Sequence, residues 1–113
     1  MKIEEIAKVA HEINAALARA YGNNSHFTWD EAPQWMKDSA IDGVEFHMEN
    51  LDASPGYSHE CWMEKAAGAG WVYGETEDQE KKQHPYLVPF EEIPEAERVK
   101  DFVFQQVVRS LVW

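Results

Sequence analysis

The stretch WMEKAAGAGWVYGETEDQEKKQHPYLVPF, residues 62–90, decides the fold of this chain. Its Trp71-Val72-Tyr73 step is short, aromatic and β-branched, which is typical of an abbreviated strand. A polar loop follows, and Pro85 and Pro89 then exclude a helix and favour an extended path. The segment therefore predicts a small, irregular extended patch that is rich in aromatic side chains.

Regular apolar spacing before this stretch predicts two helices. Apolar residues recur from Ile3 to Ala20, and the turn at Tyr21-Gly22 ends the pattern. A second stripe predicts a helix over about residues 33–49. Gly43 lies inside that stripe at a cost of roughly 1 kcal/mol relative to Ala, which a close approach to another backbone would explain.

Two further helices are expected around the extended patch. Ser58 can cap one that carries Cys61 and ends at Gly68 or Gly70, and Pro94 opens the other. The core stripe of the last helix is predicted to be Val99, Val103, Val107 and Leu111. The expected fold is mainly α, a compact helical module of about four helices with a short two-stranded β-hairpin.

Length and charge narrow the class of protein. At 113 residues the chain fits a single domain, which we divide into an N-terminal helical extension (1–54) and a core (55–113). Its formal charge of −11 repels phosphate backbones and disfavours long nucleic acid as a partner. No apolar run approaches the length of a membrane helix, and the N-terminus is acidic where a signal peptide is basic. We expect a cytoplasmic protein with no membrane partner.

Residues that commonly catalyse reactions or bind metals show no familiar spacing here. Cys61 is the only cysteine, so we interpret it as a small apolar residue on a buried helix face. His11 and His47 lack a second ligand three or four residues away that would complete a zinc pair. The sequence also lacks a GxSxG elbow, a P-loop and a GxGxxG step. We expect no enzyme activity, no metal and no cofactor.

Aromatic density beside isolated cations is the feature that points to a function. One interpretation is that the rings fill the core of a small domain with little regular sheet. The other is that Trp62 or Tyr73 stacks a planar ligand whose charge is met by nearby lysines. For Trp62 the residues alone leave both interpretations open. The rings and cations concerned are Trp62, Trp71, Tyr73, Tyr86, Phe90, Lys65, Lys81, Lys82 and His84.

The spacing of these residues resembles the ryanodine receptor (RyR) repeat domain family. Phe90 departs from it, since the family often has Tyr there. The likeness covers residues 55–113 and is closest in kind to the stand-alone bacterial or bacteriophage form. It implies a compact helical module with a short β-hairpin and a non-catalytic role. The matching steps are His59-Glu60-Cys61-Trp62, Gly70-Trp71-Val72-Tyr73-Gly74, Asp78, Lys81, His84-Pro85, Leu87-Val88-Pro89-Phe90 and Ile93-Pro94.

The resemblance implies binding of a nucleotide or a nucleotide-derived signal, in a bacterial or host cytoplasm. A phage protein of this kind would sequester a host defence signal. Stacking would fall to Trp62 or Tyr73, phosphate contacts to the lysines and His84, and a homo-oligomer would complete the site. The alternative is a protein–protein interaction module whose acidic surface includes Trp29 and Trp35. The candidate ligand-binding residues are Trp62, Tyr73, Lys81, Lys82, His84, His59 and Trp71.

Overall fold

The computed structural model describes residues 1–112, and within them it has four α-helices, two short strands and one 3-10 turn. The mainly α fold with about four helices is therefore confirmed. None of the helices in residues 1–112 is long and apolar enough to cross a membrane. The elements in chain order are α1 (Ile3–Ala20), α2 (Gln34–Glu49), α3 (Pro55–Gly68), β1 (Val72–Tyr73), β2 (Gln83–His84), the 3-10 turn (Phe90–Glu92) and α4 (Glu95–Leu111).

The chain divides into two compact units. The helical unit consists of Met1–Ala53 together with the chain from Val99 onward, and the ring unit is Ser54–Arg98. Helix α4 starts in the ring unit and continues in the helical unit. The single domain expected over 1–113 stays a prediction, and its last residue, Trp113, lies outside the described residues.

Apolar side chains from three helices and one loop residue form the core of the helical unit. Both predicted helices of the N-terminal half are confirmed as α1 and α2, and the two pack together. The core is completed by α4 and by Trp29 from the connection between α1 and α2. Its buried members are Ile6, Ala7, Trp29, Val44 and Val108.

The predicted core stripe of α4 was wrong in its register. Val108 and Gln105 are the buried side chains of α4 in the described residues, and Phe104 and Leu111 pack against the core. The predicted Val99, Val103 and Val107 are half-buried. A strict four-residue spacing drifts about 40° around a helix at each step, so three such steps leave the buried face. Alternating steps of four and three, as in 104–108–111, keep to it.

Gly43 marks a close approach, as expected, but to a ring instead of a backbone. A Cβ built on Gly43 would lie 3.1 Å from Cζ of Phe104, closer than ordinary van der Waals contact. The absent side chain makes room for the phenyl ring of α4. The approach explains why a residue with poor helix propensity occupies the middle of α2.

Helix α3 begins earlier than the predicted Ser58 cap. The Ser54 hydroxyl accepts a hydrogen bond from the Tyr57 amide at 3.1 Å, and Pro55 occupies the first turn. Proline suits this place because its φ is already helical and the first-turn amides have no helical acceptor. Ser58 therefore lies inside the helix. The predicted end at Gly68 is confirmed.

The expected β-hairpin was wrong, because β1 and β2 run parallel. The chain between them reverses twice. The second reversal is a tight turn closed by a pair of backbone hydrogen bonds between Asp78 and Gln83, at 2.9 and 3.0 Å. In that turn the Asp78 carboxylate accepts the amides of Glu80 and Lys81, and Lys82 takes a left-handed φ of 53°. These local hydrogen bonds turn the chain so that β2 runs in the same direction as β1.

Candidate ligand site

His84 lies at the centre of a cluster of rings in the ring unit. Its imidazole contacts the indole of Trp62 edge-on at 5.1 Å between centroids and the phenol of Tyr86 at 5.3 Å. Trp71 packs against the same imidazole at 6.5 Å. Helix α3 supplies Trp62, and the β1 and β2 segments supply the other rings. Aromatic packing therefore organises a unit with little regular sheet.

Hydrogen bonding fixes the tautomer of His84. Its Nδ1 accepts the backbone N–H of Tyr86 at 3.0 Å, so in the neutral ring the proton sits on Nε2. That Nε2 faces the Glu77 carboxylate at 3.7 Å. Burial lowers the pKa of His84; Glu77 raises it in part, and His59 lowers it further. Since the lowering dominates, the imidazole is a neutral structural group near pH 7.

His59 is a second buried imidazole with a fixed partner. Its Nε2 donates to the backbone carbonyl of Val88 at 2.8 Å, which ties α3 to the proline-rich segment. The ring packs on Trp62 at 5.4 Å and on Phe90 at 5.9 Å. The ring of Phe90 is thus part of the cluster.

The two tryptophans of the cluster are half-buried, whereas Tyr73 is exposed. The indole of Trp62 contacts His59 and His84, so much of its surface belongs to the cluster. Tyr73 is paired in register with His84 across the two strands, which places both side chains on one face of the sheet. With 57% of its surface exposed, Tyr73 offers a ring to solvent beside the cluster.

The two candidate lysines are both exposed, but only one is engaged by the fold. Lys82 donates from Nζ to the Ala69 carbonyl at 2.8 Å, where α3 ends and its dipole is negative. Lys81 is held only through its backbone, whose amide bonds to Asp78. Lys81 is therefore the candidate cation whose charge the fold leaves to solvent.

Tyr86 and Glu77 belong to the site but are absent from the sequence-derived set. Tyr86 completes the ring cluster, and burial, followed by the nearby Glu97, raises the pKa of its phenol. Tyr86 could have been found from its place two residues after His84. Glu77 could not, because acids occur throughout the loop and nothing in the sequence singles it out.

Groups suited to metal or thiol chemistry are sparse. Within residues 1–112, no three His, Cys, Asp or Glu side chains converge on a point where a metal could bind. Cys61 is half-buried on α3, more exposed than the buried face expected for it. Tyr57 lies one helical turn away from Cys61. The hydrogen bond between the two side chains is the main cause that raises the pKa of the Tyr57 phenol, and the electrostatic effect of Cys61 is the next.

The seven candidate residues all lie in the ring unit, in two distinct settings. His59, His84 and the two tryptophans form the ring cluster, while Tyr73 and the two lysines face solvent. Comparison with family models matches residues 44–112, more than half of the chain, to the RyR domain. The match begins before position 55, inside α2, and so extends beyond the ring unit in both directions.

Proposed function

The chain belongs to the RyR domain family, and we propose that it is a non-catalytic module that binds a nucleotide or a nucleotide-derived signal. The observation that carries this proposal is the exposed Tyr73 ring, held beside the ring cluster by its pairing with His84. A planar base stacks on such a ring at a gain of about 1–3 kcal/mol, whichever of the bases it is.

The charges near this ring favour a small anionic ligand over a long one. Lys81 and Lys82 are exposed in the turn that precedes β2, and Lys81 has no side-chain partner among the described residues. A phosphate needs only a few local cations and amides, whereas a long nucleic acid is repelled by the chain's formal net charge of −11. Lys81 is accordingly the main phosphate contact in the proposed site.

The remaining candidates hold the binding surface in place in this proposal. His84 and His59 are committed to the Tyr86 amide and the Val88 carbonyl. Trp62 and Trp71 pack against His84, and we propose that they support the surface on which the base stacks. Replacing either histidine should therefore reduce binding through loss of structure, while replacing Tyr73 or Lys81 should reduce it without unfolding.

The test is calorimetry and thermal shift against mono-, di- and cyclic nucleotides and ADP-ribose derivatives. We expect one class to stabilise the protein, and Tyr73→Ala to weaken that ligand at least about tenfold. Tyr21→Ala is the matched control, because Tyr21 is also exposed but lies in the helical unit. No stabilisation by any ligand at millimolar concentration contradicts the proposal.

Sequestration of the ligand makes a distinct prediction. A protein that only sequesters its ligand releases it chemically unchanged. Mass spectrometry of protein denatured after incubation should therefore recover the added nucleotide intact. Sedimentation with and without that nucleotide tests the accompanying proposal of a homo-oligomer that completes the site. Recovery of a converted product would instead establish an enzyme.

A protein-interaction role is the second candidate, and exposure of Trp35 favours it. Trp35 is 44% exposed on α2, whereas Trp29, also expected at such a surface, is 5% exposed and part of the core. The expectation that Trp29 is available to a partner was wrong, because its ring fills the space between helices. A pull-down that depends on Trp35 and survives Tyr73→Ala would support this role.

A further inference from the structure

The strand β1 carries an edge that no other strand of residues 1–112 covers. Its bonds to the β2 segment run from the Val72 amide to the Lys82 carbonyl at 2.9 Å and from the Gly74 amide to the His84 carbonyl at 3.4 Å. Successive peptide groups along a strand point in opposite directions. The N–H and C=O of Tyr73 therefore point away from β2, toward the open edge.

Side-chain exposure accompanies this open edge. Val72 and Tyr73 are 55% and 57% exposed, although both belong to residue types that strands usually bury. An edge with free backbone groups and exposed β-forming side chains is a template for another extended segment. The shortness of β1 limits such an addition to a few residues centred on Tyr73.

Charge decides which extended segment would fit. The loop that follows β1 exposes three acids, Glu75, Glu77 and Glu80, against two bases, Lys81 and Lys82, and acids outnumber bases across the whole chain. A second copy of this chain would bring the same acids to the edge, and like charges oppose such pairing. A peptide with Lys or Arg at alternate positions would instead face opposite charge.

We propose that the open edge of β1 binds an extended basic peptide by strand addition, with the Tyr73 N–H and C=O as the central hydrogen-bonding pair. This site goes beyond the proposed nucleotide function, because it uses the backbone of Tyr73 and not its ring as the anchor. Binding is weak and fast, since few backbone bonds are gained, and salt weakens it.

The test uses two labelled peptides, one alternating Lys with Val and Thr and one with each Lys replaced by Glu. Fluorescence anisotropy should show binding of the Lys peptide alone. Tyr73→Pro removes the outward N–H while leaving the Val72 and Gly74 amides to β2, and we expect about a tenfold loss. Tyr73→Ala is the matched control, because it keeps the N–H and loses the ring.

A second measurement covers the case in which Tyr73→Pro fails to fold. Amide hydrogen exchange in the unmodified protein should slow at Tyr73 when the Lys peptide is added, with Val72 unchanged because its amide is already bonded. Equal binding of the Glu peptide, or unchanged exchange at Tyr73, overturns the proposal. So does self-association without peptide that Tyr73→Pro abolishes, since the edge would then bind a second copy.

The outcomes also separate this proposal from the nucleotide function. Tyr73→Ala should weaken nucleotide binding at least about tenfold yet retain most peptide binding. Loss of nucleotide binding with retention of peptide binding would leave strand addition intact. The reverse result, nucleotide binding without peptide binding, would overturn strand addition alone.

Discussion

The helical unit and the ring unit reach stability by different means. In the helical unit, apolar side chains such as Ile6, Val44 and Val108 are removed almost completely from water. In the described part of the ring unit, Ile93 is the one buried aliphatic side chain apart from Pro55. The aromatic rings packed around His84 and His59 form the centre of this unit instead. Apolar burial tolerates small shifts, whereas a ring cluster joined by specific hydrogen bonds depends on geometry.

The largest effect should come from emptying the core of the helical unit. Trp29→Ala removes a ring that is 5% exposed and should lower the free energy of unfolding by about 3–5 kcal/mol. Trp35→Ala, at a position that is 44% exposed, should stay within about 0.5 kcal/mol. Urea titration followed by circular dichroism measures both. Similar losses in the two variants would contradict the assignment of Trp29 to the core.

Geometry in the ring unit can be tested at a glycine. A Cβ on Gly74 would lie 2.6 Å from Cβ of Gln83, so Gly74→Ala forces β1 and β2 apart and should cost about 1–3 kcal/mol. Gly68→Ala is its control, because nothing lies within 4 Å of a Cβ at the end of α3. Hydrogen exchange should show faster opening at Val72 in the first variant only. Equal exchange in both would mean that the strands do not approach so closely.

The same contrast explains what could be predicted from the sequence. Periodicity reports burial along one helix, so the bounds of α1 and α2 and the mainly α fold could be predicted. The register of α4 could not, because the choice between Val107 and Val108 depends on which neighbour each meets. Nor could the parallel pairing of β1 with β2, which depends on the Asp78 turn.

For the candidate site, sequence and resemblance supplied the residues but not their partners. The ring cluster around His84 joins residues far apart in the chain, and the Glu77 contact depends on the path of the loop. The Lys82 contact with the end of α3 likewise needs the fold to be known. Roles for the seven candidates as ligand contacts stay predictions.

Acid should destabilise both units, each through a neutral imidazole. Burial first, then Arg109, lowers the pKa of His47, and burial lowers that of His84. A depressed pKa means that the unfolded chain takes up the proton first. The contribution of each neutral histidine to the free energy of unfolding is fully present above about pH 6.5 and is lost as pH falls through the folded-state pKa. Each histidine contributes a slope of at most about 1.4 kcal/mol per pH unit.

Two variants assign that slope to the units. His47→Phe should flatten the loss of stability between pH 7 and pH 5 in the helical unit, because a phenyl ring takes up no proton. The replacement breaks no hydrogen bond at Nδ1 of His47, since that buried atom has no partner. His84→Asn should do so in the ring unit while keeping an acceptor for the Tyr86 amide. Exchange measured peptide by peptide distinguishes the units. An unchanged pH slope in both variants would place the titrating group elsewhere.

The smallest effect concerns the two serines that compete as the cap of α3. Ser54→Ala removes the acceptor of the Tyr57 amide and should cost about 1 kcal/mol in the ring unit. Ser58→Ala replaces a residue inside the helix by a better helix former and should be neutral or slightly stabilising. A sequence-based prediction favours the opposite order, since Ser58 was the expected cap. Measured free energies of unfolding for the pair therefore decide whether Ser54 or Ser58 caps α3.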